Sequence, residues 1–196
     1  MKALIIVDVQ VDFLPEGALA VPAGDTIIPA INALQKDYDL VVATQDWHPA
    51  DHGSFASQHP GTQVYEKIEL HGLEQTLWPD HCVQGTAGAE LSDMLNTAAI
   101  EAIFRKGTER DIDSYSGFFD NGQRKATGLQ GYLKERAVSE VHVCGLAADY
   151  CVYFTAMDSL EAGFKTAIIS RATKPIDKTT FMDKKEIFLQ KGGRIL

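Results

Sequence analysis

Val141-His-Val-Cys-Gly-Leu146 runs without a break into Ala147-Ala-Asp-Tyr-Cys151-Val152. The first six residues form a short, near-continuous apolar run, the composition of a strand buried on both faces of a parallel sheet. A helical pattern follows over Asp149–Ala162, and Gly163 stands where a left-handed residue closes a helix. Strand passing directly into helix is the repeating unit of an α/β domain, and the unit recurs outward in both directions. Ala3–Val7, Leu40–Ala43, Ala98–Phe104 and Thr166–Ile169 are apolar runs of the same kind. Between them, Asp25 is placed to cap a helix reaching about Lys36, with Pro29 tolerated in its first turn. Thr127–Arg136 and Thr179–Gln190 also read as helices, the latter before a short terminal strand. The expected fold is α/β, three layers α/β/α around a mainly parallel central sheet, in a single domain over residues 1–196.

Composition narrows the function. The net charge is −9 and no Lys/Arg cluster occurs, which argues against nucleic acid as a partner. No apolar stretch approaches membrane-spanning length, and Met1-Lys2 leads into a strand rather than a signal segment. Three cysteines, Cys82, Cys144 and Cys151, are an odd and sparse set for a disulfide framework. These features predict a cytoplasmic protein acting on a small molecule. Only Asp46–Thr86 breaks the strand–helix rhythm. It holds five of the six histidines and both tryptophans, a composition suited to a functional loop.

The reactive residues fall in a pattern. Asp8 follows the first predicted strand, Asp46 and His48 the second, Lys106 the third, and Gly145–Cys151 the fourth. In an open parallel sheet the carboxyl ends of all strands lie on one edge, where ligands bind. Residues scattered over most of the chain therefore converge on one cleft. Cys151 lies in the first turn of its helix, where free amide N–H groups favour a thiolate and can hold an oxyanion. A nucleophilic thiol needs a base and a nearby cation, and Asp8 and Lys106 are placed to supply them. Taken singly, Asp8 reads as a turn cap, Lys106 as a surface charge and Cys151 as a core residue; their shared edge gives them a common meaning.

Asp46-x-His48 at a strand end sends both side chains to one side. With His81 they make one carboxylate and two imidazoles, a set that leaves positions open on a metal ion. His52 reads as an orienting partner of that set, with an extra ligand and a surface residue as the other readings. His59, His71 and His142 carry no motif support. Cys144 reads as core, and Cys82 is ambiguous because it adjoins His81.

Six segments together resemble one family. They are Asp8-Val-Gln-Val-Asp-Phe13, Asp46-Trp-His-Pro49, Trp78-Pro-Asp-His-Cys-Val83, Phe104-Arg-Lys-Gly107, Tyr115-Ser-Gly-Phe118 and Gly145-Leu-Ala-Ala-Asp-Tyr-Cys-Val152. In this order they are similar to the nicotinamidases of the isochorismatase-like cysteine hydrolase superfamily, and they span most of the chain. The resemblance implies an isochorismatase-like hydrolase fold and an amidase that turns nicotinamide, or pyrazinamide, into its acid and ammonia through a cysteine thioester. It implies Asp8, Lys106 and Cys151 as catalytic triad, and Asp46, His48 and His81 as ligands of a divalent metal, zinc first, with iron or manganese as the family's other ions. It further implies Phe13, Trp78 and Tyr115, joined by Leu19, as the wall around the pyridine ring. A cis peptide before Ala147 would aim the amides of Ala147 and Cys151 at an oxyanion. Ser170-Arg-Ala-Thr-Lys-Pro175 departs from the family pattern after the fifth predicted strand, and bears on the rear wall and on any homo-oligomer contact.

Other readings are open at this stage. Within the superfamily, another amidase or a ureido-hydrolase is the alternative. A phosphoacceptor receiver domain also places acids at strand ends, but needs a second acid beside the first, which Asp8-Val-Gln lacks. A nucleotide- or flavin-binding module needs a glycine-rich phosphate loop, and neither G-x-G-x-x-G nor a Walker pattern occurs.

Overall fold

The computed structural model describes residues 1–196. In chain order it contains β1 (Lys2–Val7), α1 (Ile28–Leu34), β2 (Leu40–Asp46), β3 (Lys67–Leu70), β4 (Leu73–Thr76), β5 (Ala102–Lys106), α2 (Leu129–Glu135), β6 (Glu140–Leu146), α3 (Cys151–Glu161), β7 (Lys165–Lys174), α4 (Lys178–Gln190) and β8 (Arg194–Ile195). Six strands form one sheet in the order β5-β2-β1-β6-β7-β8, and every neighbouring pair is parallel.

Both faces of the sheet are covered, as its apolar strands require. Successive side chains of a strand point to opposite faces. Leu4 and Ile6 of β1 therefore join Val41, Ala43 and Leu146 in a core closed by Ile28, Ile31 and Leu34 of α1. Ala3, Ile5 and Val7 face the other way, into a core with Leu129 and Leu133 of α2, Val152 and Ala156 of α3, and Phe188 of α4. Complete burial of one such aliphatic or aromatic side chain contributes roughly 1.5–3 kcal/mol. The result is the expected three-layer α/β/α arrangement. No helix is long and apolar enough to cross a membrane.

Several boundaries differ from those read in the sequence. β2 and β5 run on to include Asp46 and Lys106, which are register partners at the end of the β2–β5 pair. β5 starts at Ala102, not Ala98. The first helix is split into a 3-10 turn over Gly24–Ile27, α1, and a second 3-10 turn over Gln35–Asp37. Asp25 makes no cap; α geometry begins at Ile28, with Pro29 in the first turn, where its missing N–H is tolerated. α2 starts at Leu129 because Gly128 precedes it at φ +96°, outside helical geometry. α3 starts at Cys151 rather than Asp149. β7 is extended to Lys174, so most of the divergent Ser170–Pro175 segment is strand. The polar loop also contains the antiparallel hairpin β3–β4. Its strands are too short and too exposed to announce themselves by hydrophobicity.

Candidate active site and metal centre

The carboxyl edge of the sheet gathers the predicted residues. Asp8 directly follows β1, Asp46 and Lys106 end β2 and β5, and Ala147–Cys151 link β6 to α3. β6 is able to lie close beside β1 at this edge because residue 145 is glycine. It sits at φ +109°, and a Cβ there would stand 2.0 Å from the Val7 carbonyl oxygen.

Lys106 is the hub. Its Nζ lies 2.8 Å from Asp8 Oδ2, 2.6 Å from Asp46 Oδ1, 2.9 Å from the Ser114 carbonyl oxygen and 3.3 Å from Cys151 Sγ. The Asp8 carboxylate is held from its other oxygen by Thr44, whose hydroxyl donates at 2.6 Å. Asp8, Asp46 and Cys151 bring their reactive atoms within 4.8 Å of one another, all buried. A trio of this kind can bind a metal, but here the Lys106 ammonium already touches all three.

Electrostatics follow from that geometry. Burial pushes the Asp8 carboxyl up to about 6, against the pull of Lys106. Burial acts on Asp46 in the same direction, but Lys106 and His48 outweigh it and hold the carboxyl below its ordinary range. Burial would lower Lys106; Asp46 and Asp8 more than offset it and keep the ammonium charged. Burial also raises the Cys151 thiol well above its ordinary value, and Lys106 opposes this without reversing it. Lys106 thus acts on the thiol in the expected direction, and desolvation acts against it.

The Leu146–Ala147 peptide is cis. The amide N–H groups of Ala147 and Cys151 donate to no group within the chain, and both residues line the same pocket.

Asp46, His48 and His81 form a second buried cluster, with ligand atoms within 4.8 Å of one another. The imidazoles are presented in a form suited to a metal. His48 Nδ1 lies 2.9 Å from the Gly107 carbonyl oxygen and His81 Nδ1 lies 2.7 Å from that of Pro79. Each contact places the proton on Nδ1 and leaves the Nε2 lone pair free, the arrangement that carbonyl partners give metal-binding histidines. Glycine is required at 107, where a Cβ would stand 2.3 Å from the His48 ring. Burial and the neighbouring His48 lower His81 to about 4, so its ring is neutral, as a ligand must be. Two imidazoles with one carboxylate form a donor set that fits a divalent ion, and suits zinc or iron better than magnesium or calcium.

His52 packs with ring centroids 4.3 Å from those of His48. Its Nδ1 is engaged by Ser54 and its Nε2 lies 3.3 Å from the Ile112 carbonyl oxygen, so neither nitrogen is left for a ligand. His52 thus lies against the His48 ring with its own nitrogens occupied elsewhere. His59 bonds the Gly53 carbonyl, His71 is exposed, and His142 lies between Tyr38 and Glu140 away from the cleft. Cys82 and Cys144 are buried core thiols.

Above these groups is a pocket whose walls include the four predicted residues Phe13, Leu19, Trp78 and Tyr115. Trp78 Nε1 donates to Tyr115 Oη at 3.3 Å, locking two of the rings together. Tyr150, Ile176 and Asp113 also line the pocket and were not singled out in the sequence. Asp113 and Tyr150 lie beside or inside recognisable segments, next to Tyr115 and Cys151. Ile176 follows the divergent segment, and no pattern in the chain marks it. It is fastened by Asp149, whose carboxylate accepts from the amides of Ile176 and Asp177 at 2.9 Å each.

The sequence pattern of the Isochorismatase domain matches residues 2–189. The chain is 48% identical over 180 residues to the nicotinamidase of Escherichia coli, covering 90% of this chain and 84% of that one. Its structure superposes on the Acinetobacter baumanii nicotinamidase/pyrazinamidase with a TM-score of 0.97 at 47% identity, over 100% of this chain and 95% of that one. The pyrazinamidase of Pyrococcus horikoshii, solved in complex with zinc, matches with a TM-score of 0.82 at 38% identity, over 100% of this chain and 98% of that one. With sequence pattern, fold and close relatives in agreement over nearly its whole length, this chain belongs to the isochorismatase family, in the group that contains the nicotinamidases.

Proposed function

We propose that this protein hydrolyses nicotinamide to nicotinic acid and ammonia, with Cys151 as nucleophile, Asp8 as proton carrier and Lys106 as their electrostatic anchor. The observation that carries the reading is the Lys106 ammonium within hydrogen-bonding reach of Asp8, Asp46 and Cys151, the last two of which line an aromatic-walled pocket.

The chemistry follows from where the protons reside. Cys151 starts as a thiol and Asp8 as a carboxylate, the base being ionised at neutral pH with a pKa near 6. Asp8 accepts the thiol proton as Sγ forms a bond to the carboxamide carbon. Lys106 offsets the negative charge that this transfer leaves on sulfur. The amides of Ala147 and Cys151 donate to the oxyanion; one such donor is worth about 2.7–4 kcal/mol in the transition state. Asp8 returns its proton to the amide nitrogen as the C–N bond breaks, and ammonia leaves a thioester on Cys151. Asp8 then takes a proton from water, whose oxygen attacks the thioester carbon. The C–S bond breaks, sulfur recovers the proton and nicotinic acid is released.

Asp46, His48 and His81 would hold one divalent ion, zinc first, with iron or manganese as other choices of the same donor set. When bound, the ion supplies a Lewis-acidic position for the pyridine nitrogen, which orients the ring. Phe13, Leu19, Trp78 and Tyr115 provide the apolar surface around that ring.

The test is ammonia and nicotinic acid release from nicotinamide by purified protein, alongside Cys151→Ala. The wild type should turn over and the variant should retain no more than a trace with its fold intact. Full activity in Cys151→Ala would overturn the thioester route. A better ureido or aliphatic amide substrate would move the protein to another branch of the superfamily.

A further inference from the structure

One buried charge near the cleft has no part in the scheme above. Asp113 is only 3% exposed, in the loop between β5 and α2. Its Oδ1 accepts from the Ser114 amide at 2.7 Å and its Oδ2 from Gln75 Nε2 at 3.0 Å. Gln75 is itself oriented by Thr76 O at 2.7 Å and Tyr115 Oη at 3.1 Å. No Lys, Arg or His nitrogen comes within 4.0 Å of the Asp113 carboxylate. Yet it lines the substrate pocket, and it shares a buried triplet with His48 and His52 in which ligand atoms lie within 4.8 Å of one another.

A buried carboxylate without a cation is costly, so something must balance it. Lys106 pairs with Asp8 and Asp46, whereas no side-chain cation pairs with Asp113. A divalent ion beside His48 would bring positive charge close to the Asp113 carboxylate. His52, the third member of the Asp113 triplet, has both ring nitrogens engaged and cannot complete a separate metal site there.

We propose that Asp113 is a positioning residue for the ion held by Asp46, His48 and His81, strengthening cation binding through its charge without itself ligating the metal. The inference rests on the reading of those three residues as metal ligands. Gln75 and the Ser114 amide hold the carboxylate in place by donating to it, and neither carries a charge that would cancel its effect. Groups just outside a ligand set commonly change metal affinity by about 10–100-fold.

The test is the affinity of metal-free protein for Zn²⁺, measured by competition with a chromophoric chelator, in wild type, Asp113→Asn and Asp113→Glu. Asp113→Asn should bind Zn²⁺ about 10–100-fold more weakly. Asp113→Glu, which keeps the charge, should recover most of the affinity. The visible absorption bands of the Co²⁺-loaded Asp113→Asn protein should match those of the wild type, since the ligands are unchanged. Equal Zn²⁺ affinity in wild type and Asp113→Asn would overturn the proposal, as would shifted Co²⁺ bands, which would make Asp113 a ligand. Absence of Zn²⁺ binding by the wild type would remove the metal reading itself and the proposal with it.

Discussion

Lys106 Nζ stands 2.6 Å from Asp46 Oδ1, so the cation of the proposed catalytic triad is hydrogen-bonded to a proposed metal ligand. The two are register partners at the end of adjacent parallel strands. The nucleophile side and the metal side of the cleft thus form one electrostatic unit, joined through a single ammonium.

Removing that ammonium should be felt in stability and in thiol reactivity together. Lys106→Ala leaves Asp8 and Asp46 buried without their shared cation, and breaking a buried ion pair costs about 3–5 kcal/mol. Denaturant unfolding should show a loss of this order. The Cys151 thiol loses its one favourable charge, so iodoacetamide should label it more slowly at neutral pH than in the wild type. In the wild type Cys151 should be labelled well before Cys144, which burial alone pushes up to a value beyond the usual thiol range. An alkylation rate unchanged by Lys106→Ala would refute the coupling.

The acid limb of the pH profile should belong to Asp8. Burial raises its carboxyl to about 6, and the base form is the ionised one. As pH falls through that value the base becomes protonated, so kcat/KM should drop about tenfold per pH unit below it. Rates measured from pH 4.5 to 8 would check this. A flat profile across pH 5 to 7 would remove Asp8 from the role of base.

Metal content should track the histidines. Purified wild-type protein should carry close to one divalent ion per chain, and His48→Ala should be depleted in elemental analysis. The chelated, metal-free wild type should lose activity and regain it on adding Zn²⁺. Full activity in verified metal-free protein would exclude an essential ion.

Substrate choice should depend on a single lone pair. Benzamide has the shape and leaving group of nicotinamide, and apolar packing on Phe13 and Trp78 should hardly tell them apart. It lacks the ring nitrogen and would present a C–H to the ion. Sites built for a polar substrate group reject analogues without it by about 10⁴-fold, far more than a purely apolar pocket achieves. Pyrazinamide keeps the corresponding nitrogen and should remain a substrate. Comparable kcat/KM for benzamide and nicotinamide would break the link between ion and ring.

What was legible in the chain alone has a simple basis. Apolar runs ending in Val7, Ala43, Phe104 and Leu146 predict parallel strands, and parallel strands put Asp8, Asp46, Lys106 and Cys151 on one edge whatever the loops do. Strand polarity is a property of connectivity, and connectivity is written in the order of strands and helices. The same logic located His48 beside Asp46, two residues apart at a strand end. Only the tertiary structure decided the rest. That Lys106 meets Asp46 as well as Asp8 and Cys151 depends on β2 and β5 being neighbours in register, a pairing across 60 residues that no local pattern encodes. The upward push on the Cys151 thiol depends on how completely the site is desolvated, a sum over every group packed around it. Asp113, Tyr150 and Ile176 reach the pocket from loops whose paths are set by distant hydrogen bonds, such as those from Ile176 and Asp177 to Asp149. Local sequence specifies which strand end a residue occupies; which other strand ends it touches, and how much water remains between them, exists only once the sheet is assembled.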